Sequence, residues 1–237
     1  MEQVNRTKIE WVRNPDGSQG YTWNPVVGCE RGCSYCYARR FAERGLGEYG
    51  DWPKGQRFTP RLLVSRLPEP LRIKKPSRIF VCSMGELFGA WVPQDWQERV
   101  LGIIGQASWH TFMLLTKYPE NLARWSPFPD NCWVGATATD QESWERGMVA
   151  LRDVNATVRY ISAEPLLGRI VPDGRDRLDW LIIGAQTGPH AMEPECYWLD
   201  TLFGWAYCSD IPLFLKDNLR HPNLHGERIQ EWPKGER

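Results

Sequence analysis

The sequence predicts an α/β protein, a partial or full parallel (β/α) barrel of six to seven units. Three observations predict it. Short apolar runs rich in β-branched and aromatic residues recur between residues 78 and 215, helical patterns separate several of them, and the runs are continuously apolar instead of alternating. Continuous apolar strands are buried on both faces, as in a parallel sheet covered by its crossover helices. An open doubly wound sheet is the alternative, but no Gly-x-Gly-x-x-Gly fingerprint favours it.

In chain order, a polar start (Met1 to Arg6) lacks the apolar core of a signal peptide. Residues 7–11 precede a turn, then an apolar run over 23–28, a cysteine loop over 29–36 and a helix over 37–44. Residues 45–60 read as an exposed loop, because Gly and Pro punctuate them too often for a helix. Strands are expected over 78–83, 111–116, 132–137, 158–162, 180–184 and 212–215. A helix over 94–104 turns Trp96, Val100 and Ile104 to one face. A second, over 140–151, has Thr139 or Asp140 as its N-cap and acid in its first turn. A third covers 198–206, and residues 218–237 form a polar, docked tail. With no repeat, low-complexity tract or linker, residues 1–237 read as one domain.

Composition bounds the class. The 237 residues are 42% hydrophobic and 24% charged, as in soluble globular proteins, and net charge is zero, so overall charge selects no partner. No apolar run approaches the ~20 residues that span a bilayer. Seven cysteines, three of them in one cluster, argue against a disulfide scaffold and for a reducing cytosol, so the expected location is cytoplasmic. Thirteen tryptophans read as large core or half-buried residues before they read as a pocket lining.

The cluster is Cys29-Glu30-Arg31-Gly32-Cys33-Ser34-Tyr35-Cys36, three thiols at C-x3-C-x2-C spacing between a strand and a helix. Thiolates are soft ligands suited to zinc or iron–sulfur clusters. A structural zinc needs four ligands, and no fourth Cys or His lies nearby, although the distant Cys82 stays open as one. A [4Fe–4S] cluster on three cysteines leaves one iron free for a small molecule.

Barrel chemistry sits where strands end. Here the apolar runs end in Ser83-Met84-Gly85-Glu86, Thr116-Lys117, Thr137-Ala138-Thr139, Ser162-Ala163-Glu164-Pro165, Gly184-Ala185-Gln186-Thr187-Gly188 and Lys216-Asp217. Six polar ends in one register predict a shared cavity. For Thr137 and Thr139 a cap or turn role is the preferred reading.

The cysteine spacing, with the aromatic Tyr35 before the last thiol, resembles the radical S-adenosylmethionine (radical SAM) superfamily. Residues 23–29, 80–88, 115–122, 164–168, 180–188 and 230–233 further resemble an uncharacterised phage-associated family, itself similar to radical SAM proteins and distantly to spore photoproduct lyase. The chain departs from that family in the shorter gap between its first two cysteines. It also carries Glu86 in place of Asp, and Ala185-Gln186-Thr187-Gly188 in place of Gly-Glu-Ser-Gly, which removes an acid at position 186.

The resemblance implies a radical SAM-type barrel and an enzyme that cleaves S-adenosylmethionine (AdoMet) reductively at a [4Fe–4S] cluster held by Cys29, Cys33 and Cys36. It implies that Glu86, with Ser83 and Gly85 in the same motif, meets the methionyl amino group, that Lys117 meets the carboxylate, and that Tyr35 lies by the adenine. Glu164 would hold ribose hydroxyls or substrate, and Glu164 and Lys216 are the candidates for catalysis. A flavodoxin- or ferredoxin-like electron donor is implied as well. The substrate class read from local charge is nucleic acid or nucleotide. Lys54, Arg57, Arg61, Arg66, Arg72, Lys74, Lys75 and Arg78 face a single acid, Glu69, within 54–78, and Trp52 and Phe58 are placed to stack on an extruded base. A solvated basic helix face is the plainer account of that segment. The alternative function is a non-catalytic nucleic-acid-binding protein stabilised by zinc or a cluster.

Overall fold

The computed structural model describes residues 4–188, 191–221 and 229–233. Its strands are β1 (Asn5–Arg6), β2 (Tyr21–Trp23), β3 (Val26–Val27), β4 (Arg61–Leu62), β5 (Arg78–Val81), β6 (Thr111–Thr116), β7 (Cys132–Thr137), β8 (Val158–Ala163), β9 (Trp180–Ile183) and β10 (Leu213–Leu215). Eight of them form one sheet in the order β1-β2-β5-β6-β7-β8-β9-β10, while β3 and β4 pair separately. From β2 to β10 every neighbouring pair is parallel, and only β1 runs antiparallel, against β2. Among the described residues no pairing joins β1 to β10, so the sheet is open.

The sheet is nonetheless strongly curled. The indole of Trp11, in the 3₁₀ turn Glu10–Val12, lies 4.7 Å from the Phe80 ring of β5, 6.4 Å from Tyr160 of β8 and 6.3 Å from Trp180 of β9. Strands four places apart in a flat sheet would be separated by roughly 19 Å. One ring touching both β5 and β9 therefore requires the sheet to wrap around it.

Helices α3 (Gln94–Gln106), α4 (Gln141–Arg152) and α5 (Cys196–Cys208) provide the crossovers β5–β6, β7–β8 and β9–β10, after the short α1 (Tyr37–Glu43) and α2 (Glu69–Arg72). The β6–β7 crossover makes only 3₁₀ turns (Pro119–Asn121 and Ala123–Trp125), and β8–β9 has no helix, so strand and helix alternate less regularly than predicted. Proline explains both gaps: Pro119, Pro127 and Pro129 in one, Pro165 and Pro172 in the other, each removing a donor that a helix needs. Asp140 is the N-cap of α4, in a capping box with Ser143. On α3 the buried residues are Gln97, Val100 and Ile104, and Trp96 is only half-buried. Gln97 is accepted inside because Nε2 donates to the Leu87 carbonyl and Oε1 accepts from Arg124.

Two cores follow from the two sheet faces. The outer one packs Ile79, Val81, Phe112, Leu114, Val134 and Ile161 of the strands against the helices. The inner one is aromatic: Trp11, Phe80, Trp133, Tyr160, Trp180 and Phe214, with Met113, Val158 and Ile182. Tyr160 satisfies its hydroxyl on the Leu114 carbonyl at 2.9 Å. Gly135 makes room for that ring, since a Cβ there would lie 2.5 Å from it.

The expected exposed loop 45–60 is largely exposed, but Tyr49 and Phe58 turn inward and pack on Ala38 and Ala42 of α1. Of the expected docked tail, residues 222–228 and 234–237 lie outside the described residues. Gln230 bridges Phe214 in antiparallel sense, and Trp232 meets the Phe214 ring edge-on at 5.1 Å while donating to the Trp11 carbonyl. No helix among the described residues is long and apolar enough to cross a membrane.

Candidate functional site

Above the aromatic plug, at the C-terminal ends of the parallel strands, opens a cavity of about 290 Å³. All six polar strand ends contribute to its wall: Ser83, Gly85 and Glu86; Thr116 and Lys117; Thr137; Ser162 and Glu164; Ala185, Gln186 and Thr187; and Lys216. Cys29, Cys33, Tyr35, Cys36 and Tyr37 line it from the cysteine loop. Every residue proposed from the sequence as a metal, cofactor or catalytic contact thus faces one space. Thr137, expected to be a cap or turn residue, lines it too, whereas Thr139 bonds Asp140 at the start of α4.

The loop is shaped by backbone. Gly28 (φ +84°) and Gly32 (φ +74°) adopt the left-handed conformation that glycine takes without strain. Gly28 N donates to the Met84 carbonyl at 2.9 Å and Glu86 N to the Gly28 carbonyl at 3.2 Å. Gly85 allows this close approach, because a Cβ there would lie 2.8 Å from the Val26 carbonyl. Gly85 therefore has a packing reason to be glycine besides its place in the wall. Arg31 donates to the Lys117 carbonyl at 2.9 Å with its guanidinium over Tyr118, and Arg39 donates to the Cys29 carbonyl at 2.8 Å. Neither clamp is visible in the cysteine spacing.

Two backbone amides address sulfur: Arg31 N to Cys29 Sγ at 3.4 Å and Arg39 N to Cys36 Sγ at 3.3 Å. Such donors favour a thiolate, the form that binds metal. Without a metal, burial pushes the Cys29 thiol up to about 11 against the Arg31 amide. Among the described residues no three His, Cys, Asp or Glu side chains are gathered about a single metal position. One zinc at ~2.3 Å from each sulfur demands such a gathering. A cubane does not, since its thiolates bind different irons. Three half-buried thiols from one loop, all on the cavity wall, fit the donor set of a cluster. Cys82, left open by the sequence as a distant zinc ligand, also reaches this wall, though buried and with its thiol pushed up to about 12 by burial.

Glu86 is buried and tied to the protein. Oε1 accepts from Phe88 N at 3.0 Å and Thr116 Oγ1 at 2.7 Å, and Oε2 accepts from Lys117 N at 3.1 Å. Burial raises its pKa, and these three donors oppose the rise. Its first task is to strap the ends of β5 and β6, leaving acceptor capacity only on Oε2. Ser83 Oγ is likewise engaged, with Asn24 Oδ1 at 3.1 Å.

Lys117 is the opposite case. Its ammonium lies 5.7 Å from the Tyr35 ring, and among the described residues it has no hydrogen bond or ion pair. Burial lowers its pKa, while the charges of Cys33, Glu86 and Glu164 oppose the fall. A half-buried cation with no partner among the described residues is suited to an anion, and it stands beside the cysteine loop.

At the other pole Lys216 and Glu164 form a close ion pair. Gly184 makes room for it: a Cβ would lie 2.8 Å from Lys216 Cδ and 3.1 Å from Glu164 Cγ. Behind them Glu10 has a buried Oε2 with no hydrogen-bond partner, and burial raises its pKa against the Lys216 charge. Glu10 and Trp11 escaped the sequence reading because a 3₁₀ turn carries no periodicity.

The chain belongs to the family described as protein of unknown function DUF5131. Its model matches residues 6–232. No curated protein sequence matches the chain. Among solved structures it resembles spore photoproduct lyase, in a mutant with bound AdoMet and dinucleoside spore photoproduct, at TM-score 0.58 and 10% identity, covering 90% of this chain and 78% of that one. The same enzyme complexed with dinucleoside spore photoproduct gives the same values, and another mutant gives TM-score 0.56, 11% identity, 91% and 79%. At such identity the likeness establishes a shared α/β fold with a large, mostly parallel sheet.

The basic segment 54–78 is no continuous helix. Arg57 donates to the Trp52 and Glu43 carbonyls, Arg61 lies over Trp52, Arg66 pairs with Glu48 and Lys75 with Asp16. Arg78 is buried between Trp133 and Trp232 in the plug. Phe58 is buried under Arg39, so it is not a platform open to solvent. Lys54, Arg72 and Lys74 are exposed.

Proposed function

We propose that this protein is a radical SAM enzyme whose Cys29, Cys33 and Cys36 hold a [4Fe–4S] cluster, acting on a nucleic acid or nucleotide. The observation that carries the reading is the joint placement of three half-buried thiols and an unpaired lysine on one cavity at the strand ends. With AdoMet bound, such a cluster supplies a 5′-deoxyadenosyl radical by reductive cleavage, on one electron from a flavodoxin- or ferredoxin-like donor.

The chain's own residues bind, orient and exclude water. Lys117 offers its ammonium to the methionyl carboxylate and to thiolate charge. Glu86 Oε2 has room to accept from the methionyl amino group, and Tyr35 flanks the same space. The walls made by Trp11, Phe80 and Leu115 keep the region between the poles apolar. Glu164 and Lys216 face the substrate side. Spore photoproduct lyase, seen with AdoMet and a dinucleoside, is the precedent for both ligands in this fold. Contact with phosphates would fall to Lys54, Arg72 and Lys74, since the other basic residues of that segment are engaged. Zinc at the cysteine loop has no assembled ligand set among the described residues to support it.

Anaerobic reconstitution with iron and sulfide tests the reading. The expected product is a brown protein with iron and acid-labile sulfide in equal amounts that releases 5′-deoxyadenosine from AdoMet under reduction. A colourless zinc protein, or a cluster that forms equally well in Cys33→Ala, overturns it.

A further inference from the structure

Besides the Lys117 ammonium, a hydroxyl in the cavity wall has no partner among the described residues. Ser162, on β8, is fully buried, lines the cavity, and its Oγ makes no hydrogen bond. A buried hydroxyl left unsatisfied is destabilising, so a position that keeps one has a use for it outside the folding of the chain. Thr137 faces Ser162 in the β7–β8 ladder and lines the same wall. Two residues further along the same side of the chain comes Glu164, paired with Lys216. This end of the cavity therefore offers a hydroxyl, an ammonium and a carboxylate side by side.

Charge decides what they can take. Lys216 is surrounded by Glu164, Asp217 and Glu10, each of which acts electrostatically on this corner, while Lys117, the other cation that interacts with Glu164, is the one assigned above to the methionyl carboxylate. A phosphate or carboxylate would meet three acids for one lysine, and a cation would compete with Lys216 for Glu164. An uncharged group with adjacent acceptor and donor meets neither penalty. It can accept from Lys216 or Ser162 and donate to Glu164. The neighbouring walls, Trp11, Phe80 and Leu115, are flat and apolar. We propose that Ser162, Glu164 and Lys216 form the substrate subsite, and that it reads the neutral –CO–NH– edge of a nucleobase turned out of its stack. The aromatic walls favour a flat ring over a peptide amide at this position. The proposal rests on the reading above for the reaction, but not for binding, because none of the three residues is a cluster ligand.

Isothermal calorimetry with uridine tests it, in the cluster-free protein and after anaerobic reconstitution with AdoMet. Uridine is expected to bind, and 3-methyluridine, which lacks the ring N–H, to bind about tenfold or more weakly, since a buried acceptor is then left unpaired. Ser162→Ala is expected to weaken uridine binding by about five- to tenfold while leaving Tm unchanged or raising it, because the hydroxyl contributes no protein hydrogen bond. A hydroxyl with a structural role would lower Tm and leave affinity alone. Lys216→Met leaves Glu164 without its half-buried partner, so Lys216→Met with Glu164→Leu, which removes both charges, is measured beside it and is expected to abolish the preference for uridine over 3-methyluridine. Cys33→Ala should keep uridine affinity, so failure of the cluster reading and failure of this one are told apart. No uridine binding in either form, equal affinity for 3-methyluridine, or tighter binding of a blocked alanine dipeptide overturns the proposal.

Discussion

The lower and upper halves of the curled sheet are made from the same strands and the same inward-facing stripe, yet they differ in almost every physical respect. Along β8 the stripe runs Val158, Tyr160, Ser162 and then Glu164; along β6, Met113, Leu115 and Lys117; along β10, Phe214 and Lys216. The period of two that keeps these residues on one face is the pleat of the strand. Below, the stripe is aromatic and interlocked, with Trp133 and Trp180 at 5.6 Å and Tyr160 and Trp180 at 5.6 Å. Above, it is polar and unfinished, with an unpaired ammonium on Lys117 and an unpaired hydroxyl on Ser162. Stability is concentrated in the lower half so that the upper half can leave groups unsatisfied for a ligand.

That contrast is broken most directly by exchanging the consequences of mutation between the halves. Cys33→Ala in the upper half should eliminate iron incorporation and AdoMet cleavage and change the stability of the metal-free protein by no more than about 0.5 kcal/mol. Trp180→Ala in the lower half should cost about 3–5 kcal/mol, because its ring touches Trp11, Trp133, Tyr160 and Phe214 at once. Chemical denaturation of the metal-free proteins, beside iron analysis after reconstitution, reads both. A large stability loss in Cys33→Ala would mean that the cysteine loop is a structural element and not a site.

Gly135 gives a smaller and sharper test. It lies between Trp133 and Thr137 on the stripe, where the plug meets the cavity, and a methyl group there would meet the Tyr160 ring at 2.5 Å. Gly135→Ala should therefore destabilise by about 1–3 kcal/mol through overpacking. It should also shift Tyr160, whose hydroxyl holds the Leu114 carbonyl, seen as a change in near-ultraviolet circular dichroism. Gly135→Ala with Tyr160→Leu should recover part of the loss, because the ring that clashes is gone. No recovery would show that the glycine is kept for some other reason.

The upper half was more legible in the sequence than the lower. Polar strand ends and clustered cysteines are local signals, and each strand end they named sends at least one residue into the cavity wall. The plug was not legible, because Trp11 comes from a 3₁₀ turn, Trp180 from β9 and Trp232 from beyond β10, and only the curl of the sheet brings them together. Composition counted the tryptophans but had no means of placing them. Gln97 took a core position expected of Trp96, since helical periodicity registers hydrophobicity and not the partners that satisfy a buried amide. The missing helices at β6–β7 and β8–β9 follow from prolines whose positions were in view.

The smallest effect expected concerns pH and the base of the lower half. His110, just before β6, is buried, and its Nδ1 accepts from Ser77 N at 3.1 Å. Its Nε2 faces the Pro70 and Ile73 carbonyls, both at 3.1 Å, so the proton of the neutral ring is on Nε2. Charging the ring means protonating Nδ1, which would set two donors against each other at Ser77. Burial accordingly lowers the pKa, against the pull of the Pro70 and Ile73 carbonyls. In the unfolded chain the ring takes up a proton near pH ~6.5, before the folded protein does. The unfolded state then binds more protons, so stability falls as pH drops through the usual histidine range and is complete above it. Unfolding midpoints measured across that range should decline toward acid in the wild type. The decline should be shallower in His110→Gln, which has no such proton to bind. Parallel curves for the two proteins would show that His110 titrates freely in the folded state, and that the start of β6 beside Phe112 is wetter than its packing implies.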